Sequence, residues 1–166
     1  VFCLNAASMG VPQKRERVFF IGSKKELNFP KLKLEFNERA VVFGEVKETG
    51  LKGGINGRRS DMWDKCKQGK SFATVSDGSN FSSMKLSDTE VCSTIIANQC
   101  EGFFHSTEKR KISENECKLI GTYPMDYNFK ELRPMYLIGM SVPPVMTAQI
   151  ANQMYLQWFD KQLRNS

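Results

Sequence analysis

Apolar and polar positions follow three textures along the chain. In the first, Val18-Phe19-Phe20-Ile21 follows a polar octapeptide with no polar alternation. That pattern predicts a strand buried on both faces of a layered sheet. Gly10-Val11-Pro12 breaks the chain before it and Gly22-Ser23 closes it, so residues 1–22 predict strand, turn, strand. From Ser23 to about Asn98, glycines and polar residues separate short apolar pieces such as Ala40-Val41-Val42-Phe43 and Ser71-Phe72-Ala73-Thr74-Val75. This second texture predicts a loop-rich region of short strands with little helix.

The third texture is helical. Ser113-Glu114-Asn115-Glu116 spells a capping box, in which the Ser113 hydroxyl accepts from the Glu116 amide and the Glu116 carboxylate reaches back. Ile112 and Cys117 can staple that end, Gly121 supplies a left-handed stop, and Tyr123-Pro124 leads the chain away. A second helix is expected from just after Pro143-Pro144 to about Leu163, with Met146, Ile150, Met154 and Trp158 forming a stripe. Ala148, Ala151, Tyr155 and Phe159 widen the stripe, which predicts a well-buried helix.

A chain of 166 residues, 40% hydrophobic, suffices for one modest core and a small appended lobe. It opens at Val1 and is read as a fragment or processed chain. The net charge of +6 suits a polyanionic partner. Part of the excess falls between Lys47 and Lys70, where Lys52, Arg58, Arg59, Lys65 and Lys67 outweigh Glu48, Asp61 and Asp64. A loop kept soluble by its lysines would look the same. Five widely spaced cysteines without a Cys-x-x-Cys pair, and one histidine, predict reduced thiols of a cytoplasmic protein and no metal site. No apolar stretch reaches the roughly 18 residues of a membrane span.

The sharpest chemistry lies in Gly10-Val11-Pro12-Gln13-Lys14-Arg15-Glu16-Arg17. Alternation along an extended chain projects Gln13, Arg15 and Arg17 to one side, offering donors to an anionic or carbonyl-rich ligand. An ordinary surface ion-pair cluster is the other reading of this octapeptide.

The octapeptide and its flanks, from Asn5-Ala6 to Gly22, resemble the Gln-x-Arg-x-Arg motif of DNA cytosine 5-methyltransferases. Two further blocks resemble later motifs of that family in the right order. Arg110-Lys111-Ile112-Ser113 through Gly121-Thr122-Tyr123-Pro124 resembles the Arg-x-Leu-Thr-x-x-Glu helix and its Gly-(Phe/Tyr)-Pro exit. Gly139-Met140-Ser141-Val142-Pro143-Pro144 resembles the closing Gly-Asn-Ser-Val-Pro-Pro, with Met140 in place of the family's asparagine. The variable stretch between the first two falls where the family keeps its target-recognition domain.

The resemblance implies an α/β fold: the C-terminal portion of a Rossmann-like, S-adenosylmethionine-dependent methyltransferase with a small β-rich target-recognition domain. Residues 1–23 would end the catalytic lobe, 24–105 form the recognition domain, and 106–166 return to the catalytic lobe. It implies base flipping, attack on cytosine carbon 6 by a Pro-Cys thiolate, and methyl transfer to carbon 5. Arg17 would bond the cytosine carbonyl, with Arg15 and Gln13 ordering the catalytic loop and nearby phosphate. Gly139, Ser141 and Val142 would lie on the cofactor side. Cys92-Ser93-Thr94-Ile95-Ile96-Ala97-Asn98 resembles a recognition loop, which assigns Thr94 to phosphate, and Asn98 and Gln99 to base edges. Arg58, Arg59, Asn80 and Ser82 are further DNA-binding candidates as polar residues of the variable region. A β-branched strand is the plain alternative for Thr94-Ile95-Ile96.

No cysteine here follows a proline, and no Glu-Asn-Val occurs. The expected partners are therefore double-stranded DNA and a catalytic part carrying the nucleophile and cofactor loop, on the same or another chain. The expected setting is the bacterial cytoplasm and nucleoid, in restriction-modification. The chain alone is expected to be inactive. A second subunit of a split methyltransferase and a non-catalytic DNA-binding remnant are rival readings; a third, ranked last because no Cys-Phe-Thr occurs, is the tRNA-methylating branch that shares this architecture.

Overall fold

The structure, a computed structural model, describes residues 1–80, 82–97 and 102–160. Strands β1 (Phe2–Asn5) and β2 (Glu16–Phe19) form an antiparallel pair with Phe2 opposite Phe19 and Asn5 opposite Glu16. Its inner face carries Phe2, Leu4 and Phe19 onto a first core of Ala6, Met9, Val11, Leu32, Leu34, Met146, Ile150 and Trp158. The outer face is bare: Val18 is 54% and Phe20 81% exposed. The expectation of burial on both faces is corrected within this chain, because helix α4 (Pro144–Met154) covers only one.

Pro144 at the first helical position pre-sets the backbone of α4. Met146, Ile150 and Trp158 are buried as their spacing predicts, but Ala148, Ala151, Tyr155 and Phe159 face outward. The stripe is narrower than expected because the core lies on one side of the helix. Beyond Met154 the helix opens into a π-helical turn over Tyr155–Phe159, and Leu163 lies outside the described residues. Segment 29–36 runs alongside. Phe29 stacks on Trp158 at 5.1 Å between ring centres, and Gln157 satisfies both the amide and the carbonyl of Lys33.

A second core gathers Phe43, Leu86, Cys92 and Ile95 with Ile112, Cys117, Ile120, Phe129 and Ile138. It takes residues from both the middle and the later part of the chain. A third, smaller core of Met62, Cys66, Phe72 and Phe104 lies under a three-stranded sheet of β3 (Lys70–Ser71), β4 (Met84–Lys85) and β5 (Phe103–Phe104). Strands β3 and β4 are antiparallel, β4 and β5 parallel.

The middle region has less strand than expected. Phe43–Glu45 and Phe72–Val75 are 3-10 turns, the latter capped by the Ser71 hydroxyl on the Ala73 amide. Helix α1 (Arg58–Lys65) also appears there, held by the Trp63 indole donating to the His105 carbonyl.

The capping box forms as read, opening α2 (Glu114–Ile120). The stop does not. Gly121 has a helical φ of −81°, and Thr122 takes the left-handed position at +56°. Gly121 serves contact instead, since a Cβ there would stand 2.6 Å from Ile138 Cγ2. Ile138 belongs to α3 (Pro134–Met140), a helix the sequence reading did not foresee, opened by Pro134.

Candidate functional site

The site is assembled where the β1–β2 turn meets residues 92–97. The Asn5 side chain caps the 3-10 turn Ala6–Met9 by accepting from the Ala7 amide, and Gly10, at φ +76°, reverses the chain. Gln13 then forms a parallel bridge with Cys92, the Lys14 amide donating to the Cys92 carbonyl at 2.8 Å. The Thr94 hydroxyl donates to the Lys14 carbonyl.

The Gln-x-Arg-x-Arg side chains do not share one open face, which corrects the reading from alternation. Gln13 and Arg15 are each 1% exposed, while Arg17 is half-buried. Residues 92–97 and the end of α3 cover the first two, and nothing along the octapeptide itself announces that cover. Arg17 lines an open cleft of about 450 Å³ with Asn5, Lys14, Glu16 and Thr94. Its guanidinium donates to the Glu16 carbonyl at 2.7 Å, which leaves most of its N–H groups for a ligand. Lys14 and Arg17 outweigh Glu16, so the cleft favours an anionic or carbonyl-bearing guest. Asn5, Lys14 and Glu16 were not singled out from sequence. Strand alternation around Arg15 could have suggested Lys14 and Glu16, whereas Asn5 depends on the pairing of β1 with β2.

Apart from the cleft, an ionic network is buried beside the second core, where His105 meets Phe43 edge-on. Glu116 is fully buried and accepts from both terminal nitrogens of Arg110 (2.7 and 3.0 Å), from the Ser113 amide (2.7 Å) and from the Glu48 amide (3.0 Å). This partner raises the pKa of Arg110. His105, also fully buried, accepts on Nδ1 from the amides of Thr107 and Glu108, so the ring is neutral with its proton on Nε2, facing the Glu48 carbonyl. Burial, and then Arg110, lower its pKa. Glu48, on the basic segment, is held by Ser113 and Asn115.

The remaining candidates lie elsewhere. Arg58 and Arg59 sit exposed at the start of α1, Arg58 paired with Asp77 at 3.3 Å. Asn80 adopts a left-handed φ of +61° and Ser82 is half-buried nearby in sequence; neither lines the cleft. Asn98 and Gln99 lie outside the described residues. Thr94-Ile95-Ile96 forms no regular strand.

Gly139 lies in the last turn of α3. A Cβ there would stand 2.6 Å from the Ala97 amide nitrogen. Its carbonyl accepts from Arg15, the Ser141 hydroxyl donates to the Ile138 carbonyl, and Val142 packs on the first core. The Gly139 carbonyl and the Ser141 hydroxyl are thus engaged internally, which leaves main-chain groups of this stretch as the ones that could face a cofactor. Among the described residues, no three His, Cys, Asp or Glu side chains converge as a metal site, and no helix is long and apolar enough to cross a membrane.

Known proteins bear on this geometry. A crystal structure from E. coli, described as a DNA modification methyltransferase encoded within a prophage, superposes with a TM-score of 0.70 at 16% identity. The match covers 94% of this chain and 59% of that one, so this mixed α/β chain has a methyltransferase-like fold and spans somewhat over half of that protein. No curated protein matches the chain. The family profile for C-5 cytosine-specific DNA methylases matches residues 2–156, nearly the whole length. The chain belongs to the C-5 cytosine-specific DNA methylase family.

Proposed function

We propose that this chain is the DNA-recognition part of a cytosine-5 DNA methyltransferase, and that Arg17 faces the flipped-out target base. The observation that carries this reading is the cleft itself, on which Arg17 and Thr94 converge from distant parts of the sequence. Cytosine is a poor electrophile, and addition at carbon 6 pushes charge onto the ring carbonyl and nitrogen. A planar guanidinium fixed beside that carbonyl takes up the charge as it develops. Thr94, at the rim of the cleft, is the matching contact to the DNA backbone, made when its hydroxyl proton turns from the Lys14 carbonyl to a phosphate oxygen.

The nucleophile comes from outside these residues. Cys92 neighbours the site, but burial pushes its thiol up to about 12, so it stays protonated at neutral pH. Cys66 and Cys117 are buried in cores, and Cys3 lies on the outer face of β1, with Cys100 outside the described residues. The methyl donor, S-adenosylmethionine, is likewise held chiefly by residues beyond this chain.

The test is methyl transfer from radiolabelled S-adenosylmethionine to DNA by the full-length protein. Arg17→Ala is expected to lower kcat by roughly 100-fold or more, as for loss of a charge-stabilising donor, with a smaller change in DNA affinity. Affinity loss at unchanged maximal rate would make Arg17 a DNA anchor and refute this reading. Residues 1–166 alone should neither transfer methyl groups nor trap 5-fluorocytosine DNA. A trapped adduct abolished by Cys100→Ser would place the nucleophile inside this chain.

A further inference from the structure

Arg15 is buried, yet no carboxylate pairs with it among the described residues. One terminal nitrogen donates to the Ile95 carbonyl at 2.7 Å and to Gln13 Oε1 at 3.3 Å. The other donates to the Gly139 carbonyl at 2.7 Å, and Nε has no partner among the described residues. A buried cation without a counter-ion is costly, and burial, followed by the nearby Arg17, lowers its pKa. What this arrangement gains is geometry, because one rigid fork holds carbonyls of two separate segments at fixed separation.

Gln13 completes the arrangement. Its Oε1 accepts both from Arg15 and from the Ile95 amide, at 3.2 Å. Together with the Lys14 amide on Cys92 and the Thr94 hydroxyl on Lys14, residues 13–15 are bonded stepwise to residues 92–95. Gly139 closes the far side, with no room for a Cβ against residues 96 and 97.

We propose that Gln13 and Arg15 touch neither base nor phosphate, and instead form a positioning brace that fixes segment 92–97 relative to Arg17. The register between the base pocket and the recognition segment, and so the discrimination between DNA sites, is set by this brace. The inference rests on the reading of the cleft as DNA-facing.

Its chemistry provides a sharp test in the full-length protein. Both Gln13 side-chain bonds use the oxygen as acceptor, so Gln13→Glu preserves them and gives Arg15 an anion besides, whereas Gln13→Leu removes both. A residue facing phosphate would show the opposite order, with glutamate the more damaging. Two readouts are paired: amide hydrogen exchange across residues 93–97 without DNA, and preference for the target duplex over one with a single altered base pair.

Gln13→Glu is expected to keep the exchange protection and the preference. Gln13→Leu should lose on the order of tenfold in both, the scale of leaving the buried Ile95 amide unpaired while Arg15 keeps its bond to the Ile95 carbonyl. Arg15→Lys, which keeps the charge but loses the fork, should fall between them, with its effect in KM for DNA rather than kcat. Collapse of DNA binding in Gln13→Glu, or unchanged exchange in Gln13→Leu, overturns the brace. Faster exchange with unchanged site preference overturns its positioning role and, with it, the DNA-facing reading of segment 92–97. Loss of turnover in Arg17→Ala with no effect from any Gln13 variant would leave the base pocket standing and the brace refuted.

Discussion

Replacing Glu116 by glutamine changes a single atom type at the centre of the buried network. Each carboxylate oxygen serves two donors: Oε1 accepts from Arg110 Nη2 and the Glu48 amide, and Oε2 from Arg110 Nη1 and the Ser113 amide. Whichever way the new amide is turned, its NH₂ group confronts two donors and Arg110 loses its anion. Breaking a buried pair by removing one charge costs about 3–5 kcal/mol. At roughly 2–4 °C per kcal/mol for a chain of this size, Glu116→Gln should lower the melting temperature by about 10 °C. Thermal unfolding followed by circular dichroism reads this directly. The control is Arg39→Ala, which breaks a comparably short pair with Glu45 whose side chains are 73% and 37% exposed, and should barely move the transition. Equal shifts for the two variants would refute the argument, because burial would then not be what gives the inner pair its weight.

Three further outcomes are expected. His105 is neutral in the fold and its pKa is lowered there, so its contribution is fully present above about pH 6.5 and is lost as pH falls through the folded value. Unfolding free energy should therefore decline on mild acidification by at most about 1.4 kcal/mol per pH unit, and a slope unchanged in His105→Gln would exclude the histidine. Iodoacetamide should label the exposed Cys3 well before Cys66, Cys92 or Cys117, as mass spectrometry of native protein will show; early labelling of Cys92 would contradict its buried, protonated state. On the DNA-binding reading, neutralising Arg58 and Arg59 together should lower the salt slope of binding by about 0.9 rather than the full ~1.8, since Arg58 is already engaged by Asp77. An unchanged slope with collapsed site preference would show that they read bases.

Local signals were legible in the sequence because their partners sit within one turn. The Ser113–Glu116 box and the Met146–Ile150–Trp158 stripe need only helical geometry, and both formed. Features that depend on distant cover were not legible. Alternation placed Gln13 and Arg15 on the side of Arg17, but their burial is decided by Ile95 and Gly139, which nothing in the octapeptide reveals. Gly121 reads as a conformational stop, yet its smallness answers the approach of Ile138 from a helix not foreseen. Helix α1 hides among glycines and is held by tertiary bonds such as Trp63 to His105. The family motifs pointed to Arg17 and Thr94, and the fold supplied Asn5, Lys14 and Glu16 around them.

The nesting of the cores has a kinetic consequence. The first core unites residues 6–34 with 146–158, while the second lies wholly within residues 43–138. Joining the outer pieces first would mean closing a loop on the order of 100 residues, an entropic cost of about 4 kcal/mol beyond the constant term. Once the inner core has drawn Phe43 and Ile138 together, only short tethers remain, and the outer core closes cheaply. During synthesis, Phe2, Leu4 and Phe19 emerge before α4 and must wait for it to cover them. In the interval between the two events, the inner face of the β1–β2 pair is apolar surface that α4 has yet to cover and that a chaperone would shield.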